Sequence, residues 1–428
     1  MNTDVVLIIV SLSQNIDNVM RKYRFLIIGF IFIAMSCNPS VPGVSDPEPE
    51  PDHEFFQLEW ATRMEPDRTI VTLNDVQQYG DIVIKSGEEE SKLTTFYFFH
   101  KDSGELIEKV VLPEGKSVGE PSESAICDDI YVVDGAYGML GYNLQTKKVD
   151  WTILKDDLNV SWLDIHYSNG RLFVHVISKE NDYPMTYELD HLTGEKEIFY
   201  SVDSIGTFSE PVLYSGSEFE NEVAFMAYYP QIGTTPPQLA RQDMIAIDVV
   251  TKEILWRTTD FSQKFPCNYQ LPPVLHDGVV MIGGDWSIYG FDITTGEKLW
   301  RTEVDPESGT GVFARTEHLL HDGLLYVNSF VYPLACIDPL TGEMLWRTLD
   351  APNCARKMHY NVKNDWIVVT SIGRGSVLVF DAFSGVLLHR KHRYEDKSFS
   401  SNVIYDEARD MYFGTTHAHT MGFKLIPE

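Results

Sequence analysis

A nine-residue pattern, Asp-x-x-Thr-Gly-x-x-x-Trp, recurs along this chain and constrains its fold more than any other feature. The clearest copies lie within GFDITTGEKLWRT at 290–302 and CIDPLTGEMLWRT at 336–348. From His100 to Lys424, the position of the pattern's Asp recurs at intervals of 43, 47, 58, 44, 46, 43 and 43 residues. A repeat of about 40–45 residues is typical of one four-stranded blade of a β-propeller. The sequence therefore predicts an all-β fold made of propeller blades.

The two ends of the pattern predict how the ring of blades closes. Eight residues occupy the Asp position, and the last of them, Lys424, has no outer strand after it. Eight residues also occupy the Trp position, and the first of them, Trp60, has no Asp-Thr-Gly before it. One blade is therefore divided between the chain ends, with 55–62 as the outer strand and 400–424 as the inner three strands. This closure removes a free sheet edge. We predict a monomeric eight-bladed propeller of four-stranded antiparallel blades over residues 55–428.

Each residue of the repeat has an explanation in a hairpin turn and in a contact between blades. Asp accepts hydrogen bonds from backbone N–H groups of the turn, Gly supplies a positive φ, and Trp packs on a neighbouring blade. Lys147 and Lys252 replace Gly in two copies, where a positive φ costs about 1 kcal/mol. On that ground Lys252→Gly is expected to stabilise the fold slightly. The residues assigned to the structural repeat are Trp60, Trp151, Asp248, Trp256, Asp292, Gly296, Trp300, Asp338, Gly342 and Trp346.

The amino-terminal segment has the pattern of an export signal. Residues 20–37 contain a basic start, an apolar run at 25–33 and small residues before Cys37. The run is shorter than the roughly 20 residues that a membrane-spanning helix needs. The segment resembles a bacterial lipoprotein signal peptide, whose Cys receives the lipid; the alternative is an ordinary signal peptide or membrane anchor with an incidental Cys. We expect a signal region at 1–36, a true start at Met20 and a lipid on Cys37.

The residues after Cys37 predict a tether rather than a folded domain. Pro and acidic residues alternate in DPEPEPDHE at 46–54, which favours an extended, solvated segment. We therefore assign 37–54 to the lipidated Cys and its tether. An exported lipoprotein of this kind is anchored to the outer membrane in the cell envelope, with the periplasmic and surface-exposed leaflets both open. The formal net charge of −29 repels phosphate backbones, so nucleic acid is not expected as a partner.

The remaining cysteines indicate neither a zinc site nor a redox pair. Cys127, Cys267, Cys336 and Cys354 show no Cys-x-x-Cys spacing. Export permits disulfides, but the three possible pairings are left open.

Other candidate chemistry is weak. His417 and His419 form a lone His-x-His with no third ligand in view, and a polar surface loop is the favoured interpretation. The Gly-Arg-Gly at 373–375 is interpreted as a turn, because no helix follows it to hold a phosphate. No Gly-x-Ser-x-Gly elbow is present. We predict no catalytic or metal site, although a triad assembled from distant residues is left open.

The repeat resembles the tryptophan-docking repeat of pyrroloquinoline quinone (PQQ) dehydrogenases. It is similar also to the repeat of the BamB-type lipoproteins of the outer-membrane β-barrel assembly machinery, which are eight-bladed propellers. This resemblance covers roughly residues 55–428 and implies the fold. The dehydrogenases of the family are usually longer and carry an adjacent Cys-Cys pair, with acidic and Asn ligands for calcium beside the quinone. This sequence has no adjacent cysteines and no Cys-x-x-Cys-His haem site, so we expect no cofactor.

The extra length of the chain is spent on loops at one face. The 58-residue interval comes from the insertion YYPQIGTTPPQLARQD at 228–243, on the face that also carries the inter-blade links 261–273 and 349–360. Tyr, Phe and Arg are enriched at protein interfaces. Variable surface loops without a function are the alternative. The candidate partner face consists of Tyr229, Arg241, Phe265, Tyr269, Tyr332 and Arg356.

Two functions follow. The BamB resemblance implies a non-catalytic, lipid-anchored scaffold that docks an envelope protein partner. The alternative is a cell-surface lipoprotein that binds a glycan or another ligand. A PQQ-dependent dehydrogenase is the least favoured interpretation.

Overall fold

The structure is a computed structural model, and it confirms the predicted propeller. The described residues form eight antiparallel sheets, seven with four strands and one with five. Residues 52–428 form one compact unit. The structure describes residues 55–64, 76–88, 92–230, 242–262, 272–284, 287–304, 318–328, 334–350, 357–371, 375–392, 394, 399–416 and 418–427.

The first strand of the chain, β1 (Phe56–Arg63), belongs to the last blade, and blades 1 to 4 follow it in chain order. Blade 1 contains β2 (Gln77–Tyr79), β3 (Ile82–Glu88), β4 (Thr94–His100) and β5 (Leu106–Val111). Blade 2 contains β6 (Pro121–Cys127), β7 (Ile130–Gly135), β8 (Gly138–Asn143) and β9 (Lys148–Leu154). Blade 3 contains β10 (Val160–Ser168), β11 (Arg171–Ser178), β12 (Pro184–Leu189) and β13 (Lys196–Ser201). Blade 4 contains β14 (Gly206–Phe208), β15 (Val212–Tyr214), β16 (Val223–Pro230), β17 (Gln242–Asp248) and β18 (Ile254–Ser262).

Blades 5 to 8 repeat the same order from the inner to the outer strand. Blade 5 contains β19 (Val274–His276), β20 (Val279–Gly283), β21 (Ser287–Asp292) and β22 (Lys298–Glu303). Blade 6 contains β23 (Leu319–His321), β24 (Leu324–Asn328), β25 (Leu334–Ile337) and β26 (Met344–Thr348). Blade 7 contains β27 (His359–Asn361), β28 (Trp366–Ser371), β29 (Ser376–Asp381) and β30 (Leu387–Lys391). Blade 8 contains β31 (Ile404–Asp406), β32 (Met411–Thr415), β33 (His419–Leu425) and β1.

The described helices are single turns in the links after blades 1 and 2. They are a 3-10 turn at Glu114–Lys116 and the short helix α1 (Lys155–Leu158). None of the helices in the described ranges has the length and apolar character needed to span a bilayer.

The chain ends close the ring as the sequence predicts. Strand β1 pairs antiparallel with β33, from Phe56 opposite Leu425 to Arg63 opposite His419. The Ile426 N–H extends the pairing by donating to the Phe55 carbonyl at 2.7 Å. The Phe55 ring also stacks on His389 of blade 7, with ring centroids 4.3 Å apart. The last blade is therefore joined to its neighbour by the entering chain.

The propeller has two faces, which we name by the connections they carry. The turn face carries the hairpins between first and second strands and between third and fourth strands, including every Asp-x-x-Thr-Gly turn. The link face carries the hairpins between second and third strands and the links from one blade to the next. The chain enters blade 8 on the turn face, because Phe56 pairs with the end of β33 that leads into that face.

Tryptophans on five of the eight outer strands join a blade to the next one. Trp256 donates its Nε1–H to the Ile293 carbonyl of blade 5 at 2.9 Å. Its ring lies so close to Gly296 that a Cβ on that glycine would lie 2.4 Å from the ring. Glycine is therefore required at position 296 for two reasons: it lets the indole approach, and it adopts a φ of 71° without strain. Both contacts recur between Trp60 and the turn at Lys101–Gly104, Trp151 and His191–Gly194, and Trp346 and Ala382–Gly385.

A small residue in the third strand completes a slot for each indole. A Cβ on Gly290, opposite Trp300, would lie 2.2 Å from the ring of that tryptophan. The other tryptophans face Gly422, Gly141, Ala246 and Cys336 in their own blades. Where the outer strand has no Trp, the opposite residue is large: Phe98, Tyr187 or Val379.

The residue at the Gly position of a turn depends on the residue at the Trp position of the preceding blade. Lys147 and Lys252 have φ of 57° and 61°, as expected for replacements of Gly. They follow the two blades that carry Glu108 and Ile198 in place of Trp. Lys147 Nζ lies 2.5 Å from Glu108 Oε2, so an ion pair occupies the space of an indole. Lysine therefore occupies the Gly position of the turn only where the preceding blade has no indole to pack against that position.

The contacts of Lys252 change the expectation for its replacement by glycine. Its Nζ lies 4.6 Å from the centroid of the Phe199 ring and 3.6 Å from Glu197 Oε1. An exposed cation–π contact contributes about 0.5–1 kcal/mol, which offsets the cost of the positive φ. We now expect Lys252→Gly to leave the free energy of unfolding almost unchanged.

The indole of Trp300 is the exception to the hydrogen-bond pattern. Its buried Nε1 has no hydrogen-bond partner among the described residues. In the other four interfaces the acceptor is the carbonyl of the residue after the Asp position, and in blade 6 that residue is Pro339.

The Asp of the repeat holds its turn together. Asp292 Oδ1 accepts backbone N–H bonds from Thr294 at 3.0 Å and from Thr295 at 2.8 Å. Hydrogen bonds from Thr294 and Thr295 lower the pKa of Asp292, since they favour the carboxylate. The equivalent aspartates Asp190, Asp248 and Asp338 accept the same pair of backbone bonds.

We expect Trp256→Ala to lower the free energy of unfolding by about 3–5 kcal/mol, because it empties the slot between two blades. Ile198→Ala is the matched control, since Ile198 occupies the same position in blade 3 and is 55% exposed. The control is expected to change stability by less than about 1 kcal/mol. Urea unfolding measures both, and equal losses would show that the indole is not the main contact.

A double-mutant cycle tests whether Gly296 serves the indole. We expect Gly296→Ala to cost about 2–4 kcal/mol in the natural chain, from positive φ and overpacking together. In the Trp256→Ala background the same change is expected to cost only about 1 kcal/mol.

The control for this cycle is Gly278→Ala. Gly278 has a φ of 81° and no atom within 4 Å of an added Cβ. It is expected to show the cost of φ alone in both backgrounds. If Gly296→Ala lowers the free energy of unfolding equally with and without Trp256, the proposed contact between Gly296 and the indole would be contradicted.

Candidate functional site

The expected partner face lies mostly outside the described residues. Arg241, Phe265, Tyr269, Tyr332 and Arg356 all belong to segments that the structure does not describe. Tyr229 is described and is a correction. It lies in β16, is 2% exposed and packs in the core between blades 4 and 5, so it does not offer a contact surface. The strands extend to Pro230 and resume at Gln242, which limits the inserted loop to 231–241.

The described part of the link face belongs mainly to blades 1 to 3. It includes the hairpin tip at Tyr137, the helix α1 and the hairpin 179–183. Tyr137 is 57% exposed and its ring lies against Gly119. An exposed aromatic ring held by a rigid backbone is a common element of binding surfaces.

Four carboxyl groups from three neighbouring blades form the most unusual polar cluster of the described residues. Glu123 lies in β6, Asp134 in β7, Asp164 in β10, and Glu210 between β14 and β15. Asp134 is 1% exposed and Asp164 is 6% exposed. Asp134 Oδ1 accepts from Ser122 Oγ at 2.7 Å and from the Glu123 backbone N–H at 2.6 Å. We call these four residues the carboxyl cluster.

Burial and mutual repulsion raise the pKa of Glu123 and Asp134 within the carboxyl cluster. Burial, with the charge of Asp164, raises the pKa of Asp134 to about 7. Burial also raises the pKa of Glu123 well above its usual range, and Glu123 shares a hydrogen bond with Asp164. Two carboxyl groups that share a hydrogen bond must hold a proton between them. Lys155 lies close enough to interact with the charges of Asp134 and Asp164, and its own burial lowers its pKa.

The position of Glu210 follows from a break in the first strand of blade 4. Strands β14 and β15 both pair with β16, and residues 209–211 separate them. Ser209 bridges the break, because its Oγ accepts the Ala227 N–H at 2.8 Å. Glu210 Oε2 is then free to pair with His166 Nδ1 of blade 3. The irregular strand therefore links the carboxyl cluster to a third blade.

A small cavity lies beside the carboxyl cluster. It has a volume of about 10 Å³, which is room for roughly one water molecule. Asp164, His166, Glu210 and the buried Thr186 line it, and Thr186 Oγ1 has no hydrogen-bond partner among the described residues. His175 also lines it, and burial lowers the pKa of His175 to about 3. A cavity of this size does not admit an organic substrate.

The described residues offer little for metal or thiol chemistry. No group of three or more His, Cys, Asp or Glu side chains in these ranges is arranged around a metal-sized point. His419 begins β33 and is 9% exposed, while His417 lies outside the described residues. Cys127 and Cys336 are free and buried, and burial raises the pKa of each thiol to about 12. Cys267 and Cys354 lie outside the described residues.

Sequence reasoning missed the carboxyl cluster, although a signal for it was present. The first strand of blade 3 alternates apolar Leu163 and Ile165 with polar Asp164 and His166. The inner strands of blades 5 and 6 are dominated by apolar residues. The alternation could have marked polar contacts between inner strands, but the contribution of Glu210 from a broken strand has no signature in the sequence.

The fold is shared with solved proteins of low sequence identity. A computationally designed protein named Ika8 has 14% identity and a TM-score of 0.58, over 86% of this chain and 100% of that chain. BamB from Moraxella catarrhalis has 13% identity and a TM-score of 0.54, over 86% and 99%. The quinohemoprotein alcohol dehydrogenase ADHIIG from Pseudomonas putida HK5 has 12% identity and a TM-score of 0.56, over 86% and 76%. At these identities the likeness concerns the fold alone.

The sequence itself matches one family model in part. Residues 233–420 match the model described as outer membrane protein assembly factor BamB. No curated protein matches the sequence. The matched segment runs from blade 4 to blade 8, where the Trp and Gly positions of the repeat are most regular. The repeat and the closed ring make this chain an eight-bladed β-propeller, and its residues 233–420 are similar to the BamB family model.

Proposed function

We propose that this protein is a non-catalytic, lipid-anchored propeller of the cell envelope that binds a partner protein through its link face. The match of residues 233–420 to the BamB family model carries the proposal, since that model describes an outer membrane protein assembly factor. Cys37 is the proposed site of the lipid. The leaflet that it occupies is left open between the periplasmic and surface-exposed sides.

The described geometry supports recognition by a surface instead of a pocket. The cavity beside the carboxyl cluster holds about one water molecule. The link face carries the long connection 231–241 between β16 and β17, with Arg241 at its end. Phe265, Tyr269, Tyr332 and Arg356 lie outside the described residues, in sequence segments between described strands. We propose these side chains as contacts for the partner.

A catalytic role has weaker support. The fold is shared with a quinohemoprotein dehydrogenase as well as with BamB. Fold alone therefore does not choose between an enzyme and a scaffold. The sequence lacks the adjacent cysteines that the resemblance to PQQ dehydrogenases would require. We propose that the carboxyl cluster packs the inner strands of blades 2 to 4 and carries out no reaction.

Capture of the partner from its own envelope tests the scaffold. We expect the lipidated full chain to recover a stable partner after crosslinking, and replacement of 231–241 by Asn-Gly to reduce recovery at least about fivefold. The Asn-Gly pair supplies a short turn between β16, which ends at Pro230, and β17, which begins at Gln242. Removal of Glu180–Asp182 from the blade 3 hairpin is the matched control and is expected to keep recovery. If no protein is recovered while a purified glycan raises the melting temperature, the glycan-binding alternative replaces the scaffold.

The carboxyl cluster makes a separate prediction about pH. The pKa of Asp134 is raised on folding, so its contribution to stability is greatest at low pH and is lost as the pH rises towards 7. We expect Asp134→Asn to stabilise the protein at pH 8 by at least about 1 kcal/mol, and the gain to shrink towards pH 4. Asparagine keeps an oxygen for the bonds from Ser122 and Glu123. Urea unfolding at several pH values measures the difference.

Asp292→Asn is the control for this series. Hydrogen bonds lower the pKa of Asp292 in the folded state, so its charge favours folding at pH 8 and that contribution is lost as the pH falls below about 4. The control is therefore expected to be neutral or destabilising at pH 8. A loss of stability for Asp134→Asn at pH 8 would contradict the assignment, and unchanged partner recovery in this variant is expected for a packing role.

A further inference from the structure

Exposed apolar side chains occupy hairpin tips on the turn face, and most of those in the described residues belong to blades 6 to 8. Phe383 and Leu340 occupy the tips of the third hairpins of blades 7 and 6 and are 63% and 48% exposed. Val386 and Val362 of blade 7 are 56% and 51% exposed, and Ile426 of blade 8 is 39% exposed. We call these five residues the apolar tips. Single exposed apolar residues are ordinary, but a group in adjacent turns on one face indicates a contact surface.

The fold does not require apolar residues at the hairpin tips. The third residue of the Asp-x-x-Thr-Gly turn is Leu340 in blade 6 and Phe383 in blade 7. In blades 1, 2 and 5 the same position holds the polar residues Asp102, Gln145 and Thr294. In blades 3 and 4 it holds Leu192 and Val250, which are 57% and 69% exposed. The turns of blades 1, 2 and 5 form the same backbone hydrogen bonds with polar tips. The turn itself therefore does not require Leu or Phe at its tip, which points to a contact outside the propeller.

The chain enters the propeller on the same face and at the same blades. Phe55 stacks on His389 of blade 7, and its carbonyl accepts the N–H of Ile426, which is one of the apolar tips. The 17 residues from 38 to 54 separate Phe55 from Cys37. An extended, Pro- and acid-rich chain of that length reaches up to about 50 Å. Because this tether enters the propeller at the turn face, a lipid on Cys37 would attach the propeller to the membrane from that face.

We propose that the apolar tips rest on the surface of the lipid bilayer that holds the anchor, so that the link face points away from the membrane. The inference rests on the proposed lipid at Cys37. The anchor makes contact with the bilayer intramolecular, which raises the effective concentration of lipid around the tips. Weak burial of a few apolar side chains then suffices to orient the propeller. The partner-binding loops on the link face stay accessible.

Charge selects the kind of membrane surface. The formal net charge of −29 disfavours anionic headgroups. A bilayer with zwitterionic headgroups, such as phosphatidylcholine, is therefore the expected surface. Added anionic lipid at low salt is expected to weaken the contact of the tips while the lipid anchor stays inserted.

Depth-dependent quenching tests the orientation in the lipidated full chain. A polarity-sensitive fluorophore is attached at Phe383→Cys, or at Tyr137→Cys as the matched control on the link face, where the side chain is 57% exposed. Cys267 and Cys354 are changed to Ser in both proteins, whereas Cys127 and Cys336 are buried. In phosphatidylcholine vesicles that contain a spin-labelled lipid, we expect at least about twofold stronger quenching at 383 than at 137. Equal quenching at both positions, or stronger quenching at 137, would overturn the proposal.

Flotation of the same vesicles separates this inference from the proposed anchoring. Protein that floats with the vesicles but shows no quenching at 383 keeps its anchor and contradicts the orientation. Protein that does not float contradicts the lipid anchor, and the proposed orientation is then contradicted too.

The variant Phe383→Asp tests the contribution of the apolar tips. In this variant, a label at Val362→Cys is expected to be quenched no more strongly than the control label at Tyr137→Cys. Concentration-dependent dimers that Phe383→Asp dissociates would assign the tips to a second copy of this chain and overturn the membrane contact.

Discussion

The docking of an indole from one blade into the next is the interaction on which this propeller depends. Each tryptophan lies between a small residue of its own third strand and a glycine of the following turn, with its N–H bonded in four of five cases to the backbone of that turn. The slot demands three compatible residues that are far apart in the sequence. At the two tryptophan-free interfaces that have a described turn, all three positions change together, as with Glu108, Phe98 and Lys147. The interface is therefore a unit, and substitutions at one position are tolerated only with changes at the others.

The three interfaces without tryptophan show how the ring stays closed with other chemistry. Blades 1 and 2 use an ion pair, blades 3 and 4 use a lysine over an aromatic ring, and blades 7 and 8 use the stack of His389 on Phe55. Exposed ion pairs and cation–π contacts contribute less than a buried indole. Blades 2 to 4 add the carboxyl cluster, in which Glu123 shares a hydrogen bond with Asp164 and Glu210 pairs with His166. The groups whose pKa is raised by burial in the carboxyl cluster, Glu123 and Asp134, both lie in blade 2.

The two faces of the propeller suit different contacts. The link face holds the hairpin at Tyr137 and the helix α1, and we propose it as the partner-binding face. The turn face holds short hairpins with hydrogen-bonded aspartates. The chain enters on the turn face beside the apolar tips. A protein anchored near one face and recognised at the other can bind a partner without bringing its recognition loops against the membrane. This separation of the anchored face from the recognition face is what the proposed scaffold function requires.

The sequence by itself determined the fold class, the number of blades and the closure of the ring, because the repeat records one turn and one outer strand per blade. Trp60 without its Asp and Lys424 without its Trp were enough to predict that β1 pairs with β33. Only the tertiary structure decided what Gly and Lys do at the turn, because the residue that selects them lies in the preceding blade. It also moved Tyr229 from the expected partner face into the core, since a strand can extend into what the spacing suggests is a loop. The carboxyl cluster appeared only when three inner strands came together, because the burial and repulsion that raise the pKa of Glu123 and Asp134 are properties of packing.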